Sequence, residues 1–290
     1  MTKPLRAPLG RRLMLTFALL TTACAGSTIT NGYVPGQPDS TGDTQPGLPD
    51  LGVPSYDSGG SSSSSLPEVV YAHTDTALYK VDPNTLQVAK LADFLWPAGA
   101  DQMTDIAIDA QGKMIGVSAT TVYAVDTKTG ACTQLATIGK NMVGLSFVKP
   151  DNGGAEYLLG IDASEGGVHR IDPNSGLTTL VGHLGNGWLA SGDIVSVAGF
   201  GTVATLIRDD FSGNDWLARI DPNTGAATPI GDTGVQQVYG LGYWKGKLYG
   251  FTATSQFVLI DVNTGRSALV SQNNPSWWGS GVTTVAPVIQ

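Results

Sequence analysis

The chain has few charged residues, few cysteines and few histidines for its length. Only 14% of its 290 residues are charged, and it contains two Cys and three His. The formal net charge is −8, and four of the 16 basic residues precede position 13. A phosphate-binding surface needs clustered Lys and Arg, and the rest of the sequence shows no such cluster. The sequence therefore predicts no nucleic-acid partner.

The scarce reactive residues also limit the chemistry. His73, His169 and His183 lack the spacing of metal ligands. A bridge from Cys24 to Cys132 would tie the N-terminal leader to a repeat strand, so we expect Cys132 to be a small buried hydrophobe. The sequence contains no Ser or Cys nucleophile motif and no phosphate-cradling loop. It predicts no metal and no cofactor, and it favours a non-enzymatic role.

The first segment is a targeting signal. Basic residues through Arg12 precede an apolar run over 13–20 that is too short to span a bilayer. The ending Thr21-Thr22-Ala23-Cys24 resembles the lipobox of bacterial lipoproteins, in which a small residue precedes a Cys that becomes lipidated. That family usually carries Leu three residues before the Cys, where this chain has Thr21. Ordinary cleavage after Ala25 is the alternative, and both interpretations imply export.

Composition divides the chain into three segments. Residues 1–23 form the lipoprotein-type signal peptide. Residues 24–67 are rich in Gly, Ser and Pro, so they bury too little apolar surface to offset the entropy of ordering, and we expect a disordered, lipid-anchored linker. Residues 68–290 contain repeats and are expected to form the folded domain.

Glycine is abundant, and it recurs within a repeated motif. The stretch RIDPNTGAATPIG (219–231) has counterparts at 80–92, 124–136, 170–182 and 259–271. Its acidic residue recurs at intervals of 40 to 49 residues, as Asp82, Asp126, Asp172, Asp221 and Asp261. The Asp suits a side-chain bond to the turn backbone, and Gly225 suits a positive φ. Calcium binding is disfavoured, because each turn offers one acid whereas Ca²⁺ takes six to eight oxygens.

Short strands rich in Val, Leu, Ile and Tyr flank every copy of the motif. Four antiparallel strands in about 45 residues are typical of a propeller blade. The first unit lacks an inner strand, and the segment GVTTVAPVI (281–289) follows the last unit. The sequence therefore predicts an all-β, five-bladed propeller that is closed by its C-terminal strand.

The repeats resemble the LYxIDPxTGxxTxIG units of bacterial secreted and surface β-propellers over residues 68 to 290. The resemblance implies that ligands bind the face that carries the links between blades and the turns between second and third strands. Five of the six tryptophans fall on that face, together with several acids, and indoles stack well on sugars or fill a partner's pocket. The candidate binding residues are Trp96, Trp188, Trp216, Trp277, Trp278, Asp162, Asp209 and Asp210. The alternative is that these indoles pack between blades.

Two acids are the alternative catalytic candidates. Asp105 and Asp193 begin inner strands of non-adjacent blades, where the other blades have Gly144, Gly240 and Gly281. Five-bladed glycosidases use paired carboxylates in the channel, and such pairs act as acid and base. The competing interpretation is that each Asp binds backbone N–H groups.

The sequence favours a binding module over the other functions. We expect an exported, lipid-anchored monomer of the cell envelope, at the outer membrane or cell surface, that presents one propeller face to a glycan or protein partner. Only the lipid would contact the membrane, and a secreted or periplasmic protein is the alternative. A carbohydrate-active hydrolase and a structural envelope protein are the alternative functions.

Overall fold

The computed structural model describes residues 68–288, which form five four-stranded antiparallel sheets. The innermost strands of neighbouring sheets contact one another in a ring, so the fold is a five-bladed β-propeller, and this prediction is confirmed. In the described part of the chain, no helix is long and apolar enough to cross a bilayer. The predicted signal peptide, the lipidation site Cys24 and the linker lie outside the described residues.

Each blade has an inner strand at the channel and three strands outside it. Blade 1 contains β1 (Val70–His73), β2 (Ala77–Val81) and β3 (Val88–Asp93). Blade 2 contains β4 (Asp105–Ile108), β5 (Met114–Val117), β6 (Thr121–Val125) and β7 (Cys132–Thr137). Blade 3 contains β8 (Met142–Val148), β9 (Tyr157–Asp162), β10 (Gly167–Ile171) and β11 (Thr178–His183). Blade 4 contains β12 (Trp188–Val197), β13 (Gly201–Arg208), β14 (Trp216–Ile220) and β15 (Ala227–Asp232). Blade 5 contains β16 (Val238–Trp244), β17 (Lys247–Thr252), β18 (Phe257–Ile260) and β19 (Ser267–Ser271), and β20 (Gly279–Gly281) completes blade 1.

Burial decreases from the channel outward within a blade. All residues of β4 and β5 are buried, whereas the outer strand β7 keeps only Cys132 buried. Inner strands are covered by neighbouring blades on both sides, so their sequences are continuously apolar instead of alternating. Cys132 is buried as expected, and burial raises the pKa of its thiol to about 12.

The ring closes where β20 pairs with β1, with Gly279 opposite His73 and Gly281 opposite Tyr71. Closure by the C-terminal strand is therefore confirmed. The strand is shorter than the predicted segment 281–289 and begins two residues earlier. Residues after Gly281 do not pair with β1, because they form hydrogen bonds with other blades instead.

Residues 282–288, here called the crossing segment, contact four other blades. The backbone N–H of Ala198 donates to Thr284 O at 2.8 Å, and that of Lys245 donates to Pro287 O at 2.7 Å. Thr283 Oγ1 donates to Asp109 O at 2.8 Å, and Thr284 Oγ1 donates to Glu156. The segment thus crosses the end of the channel and ties blades 2, 3, 4 and 5 together.

The repeated motif forms the turn between the third and fourth strands. Asp221 Oδ1 accepts the N–H of Asn223 at 2.8 Å, and Gly225 has a φ of 75° and donates its N–H to Asp221 O at 2.8 Å. A Cβ at Gly225 would also lie 2.9 Å from the backbone of Gly182 in the preceding blade. The turn glycine therefore supplies a positive φ and lets adjacent blades approach closely.

Candidate functional site

The loops form two faces at opposite ends of the strands. The linker face carries the links between blades and the turns between second and third strands, at 74–76, 94–104, 118–120, 138–141, 163–166, 184–187, 209–215, 233–237, 253–256 and 272–278. The turn face carries the remaining turns, at 82–87, 109–113, 126–131, 149–156, 172–177, 198–200, 221–226, 245–246 and 261–266. The two faces differ in what they can bind, because they carry different side chains.

The two candidate catalytic acids meet in the centre of the ring. Asp105 and Asp193 are both 0% exposed. Burial raises the pKa of Asp193 to about 8, and burial together with the neighbouring Asp193 carboxyl raises the pKa of Asp105 well above its usual range. Two carboxyls that interact at this depth share at least one proton at neutral pH.

Backbone N–H groups from all five inner strands surround this carboxyl pair. Ile106 N lies 2.8 Å from Asp105 Oδ1, Ile194 N lies 2.6 Å from Asp193 Oδ1, and Leu241 N lies 2.7 Å from Asp193 Oδ2. The N–H groups of Leu145 and Ser280 also stabilise the charged forms of Asp105 and Asp193, respectively. The pair therefore accepts from one residue of each blade at the same position, and it satisfies the channel edge of every inner strand.

His73 completes the central cluster. Its Nδ1 bonds to Thr74 O at 2.8 Å, and its Nε2 lies 3.6 Å from Asp105 Oδ1. Burial lowers the pKa of His73 to about 4, so the ring is neutral at neutral pH. A Cβ at Gly279 would overlap both His73 Nε2 and Asp105 Oδ1. The inner-strand position that matches Asp105 in blade 1 is therefore Gly279, and not Gly281 as expected from the sequence.

The location of the acids bears on the hydrolase alternative. Paired glycosidase carboxylates stand about 5 Å or more apart and admit a sugar and a water. Asp105 and Asp193 are buried, bond to backbone N–H groups and do not line an open channel mouth. Their contacts match the competing interpretation, in which each Asp binds backbone N–H groups. Asp105 begins β4 as expected, whereas Asp193 is the sixth residue of β12 and not its first.

The candidate tryptophans are divided between core and surface. Trp277 is fully buried against Tyr79 and Phe251, and Trp188 is 4% exposed. These two indoles pack inside the protein, which corrects the expectation of a solvent-facing ring at each position. The half-buried indoles are those of Trp96, Trp216 and Trp278. Among the five candidate tryptophans, only Trp188 and Trp216 have rings in contact with each other, with centroids 5.7 Å apart.

The candidate acids of the linker face also differ in accessibility. Asp162 is 3% exposed; burial would raise its pKa, but bonds from the N–H of Glu165, from His169 and from Ser164 lower it to about 2. Its Oδ2 lies 2.9 Å from His169 Nε2. Asp162 is thus occupied within its own turn and does not face a ligand. Asp209 and Asp210 are exposed.

A small cavity opens on the linker face between blades 4 and 5. Its volume is about 240 Å³, and Phe211, Tyr239, Gln236, Gln237 and Ser191 are among its lining residues. Phe211 is 69% exposed. Both Phe211 and Gln237 have a φ of 57°, which is unusual for bulky side chains and is found more often at binding sites than elsewhere.

Asp215 holds the two walls of this cavity together. Its Oδ2 accepts from Ser191 Oγ and from the N–H of Val238, both at 2.6 Å. Thr233 Oγ1 donates to Asp215 O at 2.7 Å. Burial raises the pKa of Asp215. These bonds join the turn 209–215 of blade 4 to the link 233–237 that leads to blade 5.

Sequence reasoning places the turn 209–215 on the ligand-binding face, through Asp209 and Asp210, but does not identify the cavity that this turn forms with blade 5. Phe211 and Tyr239 lie in segments 28 residues apart with unremarkable local patterns, and nothing in a periodicity argument places them together. Loop 209–215 does depart from the short turns at the same position in other blades, and that irregularity is the signal that could have found it. In residues 68–288, no group of three or more His, Cys, Asp or Glu side chains could hold a metal ion.

Comparisons with known proteins describe the fold only. No protein-family model and no curated protein matches the chain. A chain from the crystal structure of a nidogen/laminin complex aligns with a TM-score of 0.46 and 11% identity, covering 77% of this chain and 99% of that one. A protein of unknown function from Bacteroides caccae aligns with a TM-score of 0.40 and 10% identity, covering 72% of this chain and 73% of its own. Neither similarity carries an argument about function.

Proposed function

We propose that the protein is an exported binding module whose linker face binds a neutral glycan at the cavity between blades 4 and 5. The observation that carries the proposal is the position of Phe211. A bulky aromatic residue is held in a left-handed conformation with 69% of its surface exposed, at the rim of that cavity. The turn bond from the N–H of Phe211 to Arg208 O at 2.8 Å fixes this backbone and leaves the ring free to stack on a partner.

The lining of the cavity matches the chemistry of a sugar. The rings of Phe211 and Tyr239 offer apolar faces for the C–H face of a pyranose. The amides of Gln236 and Gln237 can donate to and accept from sugar hydroxyls, and Ser191 Oγ, whose proton goes to Asp215, can accept from one. The lining residues carry no charge, so a neutral sugar fits better than an acidic one. The half-buried Trp216 in the same blade, at the end of the turn that carries Phe211, supports contacts beyond the first sugar.

Export and membrane attachment complete the proposal. The basic, apolar and small-residue order of residues 1–24 supports export, and Cys24 supports a lipid anchor on the cell envelope. The Cys24→Ala variant should lose membrane attachment or processing in a fractionation experiment. If this variant fractionates like the wild type, ordinary cleavage after Ala25 replaces the anchor in the proposal.

A glycan array with the full chain, followed by titration of the best neutral glycan, tests the site. The Phe211→Ala variant should lose at least tenfold in affinity, because an aromatic anchor at a binding site contributes on the order of 2 kcal/mol. Its melting temperature should stay unchanged, since the ring is mostly exposed. Leu177→Ala is the matched control, because Leu177 is 67% exposed on the turn face, and it should bind like the wild type.

Two outcomes would contradict this function. The first is the absence of any glycan ligand together with capture of a protein partner that Phe211→Ala abolishes; the face would then bind protein. The second is a bound glycan whose affinity is the same for wild type and Phe211→Ala, which would place the site elsewhere.

A further inference from the structure

A second concave surface lies on the turn face, between blades 3 and 4. This surface, here called the basic groove, has a volume of about 670 Å³. Its lining includes Lys149, Arg170, Arg219, Asn152 and Asn223. The loop 149–156, which is the long turn between the first two strands of blade 3, forms one wall. The groove lies at the opposite ends of the strands from the Phe211 cavity and is independent of it.

The charge of the groove is opposite to that of the protein. The chain carries a net charge of −8, yet three of its twelve Lys and Arg residues after position 12 line this one surface. Asp151 is the one acid among the lining residues. Within residues 68–288, Lys149, Arg170 and Arg219 form no salt bridge. An acidic protein that gathers unpaired cations in a concavity creates a local site for an anion.

The two guanidinium groups are held in place by aromatic rings. Arg170 Cζ lies 4.0 Å from the ring centroid of Tyr157, and Arg219 Cζ lies 5.3 Å from that of Phe200. Arg219 Nη1 also donates to Phe200 O at 3.1 Å. Stacking uses the flat face of a guanidinium and leaves its N–H edge available. Both side chains are therefore oriented before a ligand arrives.

Uncharged polar groups accompany the cations. The hydroxyls of Ser196 and Thr202 lie at the floor, where each residue is 5% exposed, and Thr202 Oγ1 donates to Ser196 Oγ at 2.8 Å. Asn152 and Asn223 contribute amides from the two loops at the rim. Hydroxyls and amides in this proportion can bond to the hydroxyls of a sugar, while the guanidinium edges match a planar carboxylate with two parallel bonds.

We propose that the basic groove is a binding site for a carboxylate-bearing oligosaccharide, with Arg170 and Arg219 bonding to uronate carboxylates. A volume of several hundred Å³ suits a ligand of a few sugar units. An extended acidic peptide is favoured less, because peptides in this mode pair with an open sheet edge. The strands that line the groove already pair within blades 3 and 4; they are β8, β9, β10, β12, β13 and β14.

Titration of the full chain with trigalacturonate tests the site. Wild-type binding should weaken as salt increases, since the contacts are between charges. The double variant Arg170→Gln, Arg219→Gln should lose at least tenfold in affinity. The fully methyl-esterified trisaccharide, which keeps the size and hydroxyls but has no charge, should also bind at least tenfold more weakly than trigalacturonate.

Matched controls separate this site from general charge effects. Arg266→Gln removes one cation from an exposed position on the same face, outside the groove, and should bind trigalacturonate like the wild type. Phe211→Ala should also bind it unchanged, which keeps this test distinct from that of the linker face. The melting temperature of the double variant should match the wild type, because both arginines are exposed.

Three results would overturn the proposal. They are no binding of trigalacturonate, equal binding by wild type and the double variant, or equal affinity for hexaglutamate and trigalacturonate. The last result would show a site for acidic peptides or for polyanions in general, and not for an acidic glycan.

Discussion

The two faces of the propeller are built from the same repeats but differ in regularity. On the turn face, all five hairpin turns have the same bond, from a backbone N–H to the Asp carboxylate two residues earlier, at 2.8 to 3.0 Å. On the linker face, the segments range from three residues at 118–120 to eleven at 94–104. Repeated turns stabilise adjacent blades in the same way each time, so they leave little room for a specific ligand.

Departures from the repeat therefore mark the places where function can reside. The turn 209–215 forms the Phe211 cavity on the irregular face, and the loop 149–156 forms the basic groove on the regular one. Both lie next to blade 4, and both have counterparts of only two to five residues in most other blades. The repeated contacts of the scaffold and the irregular loops should therefore respond separately to substitution.

The largest effect should come from removing residues 279–290. This truncation deletes β20, so blade 1 loses its inner strand. It also deletes the crossing segment, so the hydrogen bonds that tie blades 2 to 5 together are lost. We expect loss of the cooperative unfolding transition, with aggregation through the exposed edge of β1. Circular dichroism during thermal unfolding measures the result, and removal of 289–290 alone is the control. A truncated protein with the wild-type melting curve would contradict the closure described above.

The Trp277→Ala variant should be the most destabilised of the point variants. Trp277 is fully buried against Tyr79 and Phe251, so truncation leaves a large cavity and lowers the free energy of unfolding by about 3–5 kcal/mol. Phe211→Ala, at a mostly exposed position, should change it little. Urea unfolding of both variants checks the contrast, and equal losses would show that burial does not distinguish these two rings of the linker face.

The two central acids should respond differently to the same substitution. Both oxygens of Asp193 accept backbone N–H groups, so Asp193→Asn places an amide N–H₂ against a donor and should lower the free energy of unfolding by about 1–3 kcal/mol. In Asp105→Asn, the amide oxygen can keep the bond from Ile106 and the N–H₂ can donate to Asp193. This variant should therefore be destabilised less than Asp193→Asn at pH 7. Equal losses at pH 7 would contradict this difference in backbone contacts between the two acids.

The stability of the wild type should fall as pH rises from 6.5 to 8. The pKa values of Asp105 and Asp193 are raised on folding, so the folded state keeps protons that the unfolded state has released. The stabilisation is complete below the unfolded pKa, near 4, and is lost as pH rises towards about 8. Each retained proton corresponds to about 1.4 kcal/mol per pH unit. His73 opposes this fall only at the lower end of the window, because its pKa is about 4 in the fold and 6.5 when unfolded, and its contribution stops changing once the unfolded ring has lost its proton.

The variant Asp105→Asn sharpens this measurement. It removes one titrating group, so its free energy of unfolding should depend less on pH between 6.5 and 8 than that of the wild type. Urea unfolding at several pH values gives both slopes. Identical slopes would show that the central carboxyls do not share a proton in this range.

The smallest effect should come from making the first turn like the other four. Leu86 has a φ of 60° where the other turns have Gly130, Gly176, Gly225 and Gly265. Leu86→Gly relieves the left-handed strain but removes a side chain that packs against the core of blades 1 and 5. The two effects oppose each other, so the free energy of unfolding should change by less than about 1 kcal/mol. Thermal unfolding followed by circular dichroism measures the change. A larger loss would show that Leu86 contributes to closure through packing.

Much of the scaffold could be predicted from the sequence, because each repeat shows its own strands and turns. The sequence prediction began the closing strand at Gly281, two residues too late. The two glycines cannot be told apart until the pairing of Gly279 with His73 is known. The central acids could be located on inner strands, but their contact could not be predicted, because it depends on the curvature of the ring. The basic groove could not be predicted, because Lys149, Arg170 and Arg219 are separated in the chain and only adjacent blades bring them together.

The position of β20 at the end of the chain has a consequence for how the protein is made. Ser280 Oγ donates to Tyr71 O at 2.7 Å across 209 residues of sequence, so a nascent chain cannot complete blade 1 until the fifth blade has been synthesised. Contacts at such separation form slowly, because a long loop must close before they contribute. Until synthesis passes this point, the ring stays open and the edge of β1 that pairs with β20 has no partner strand.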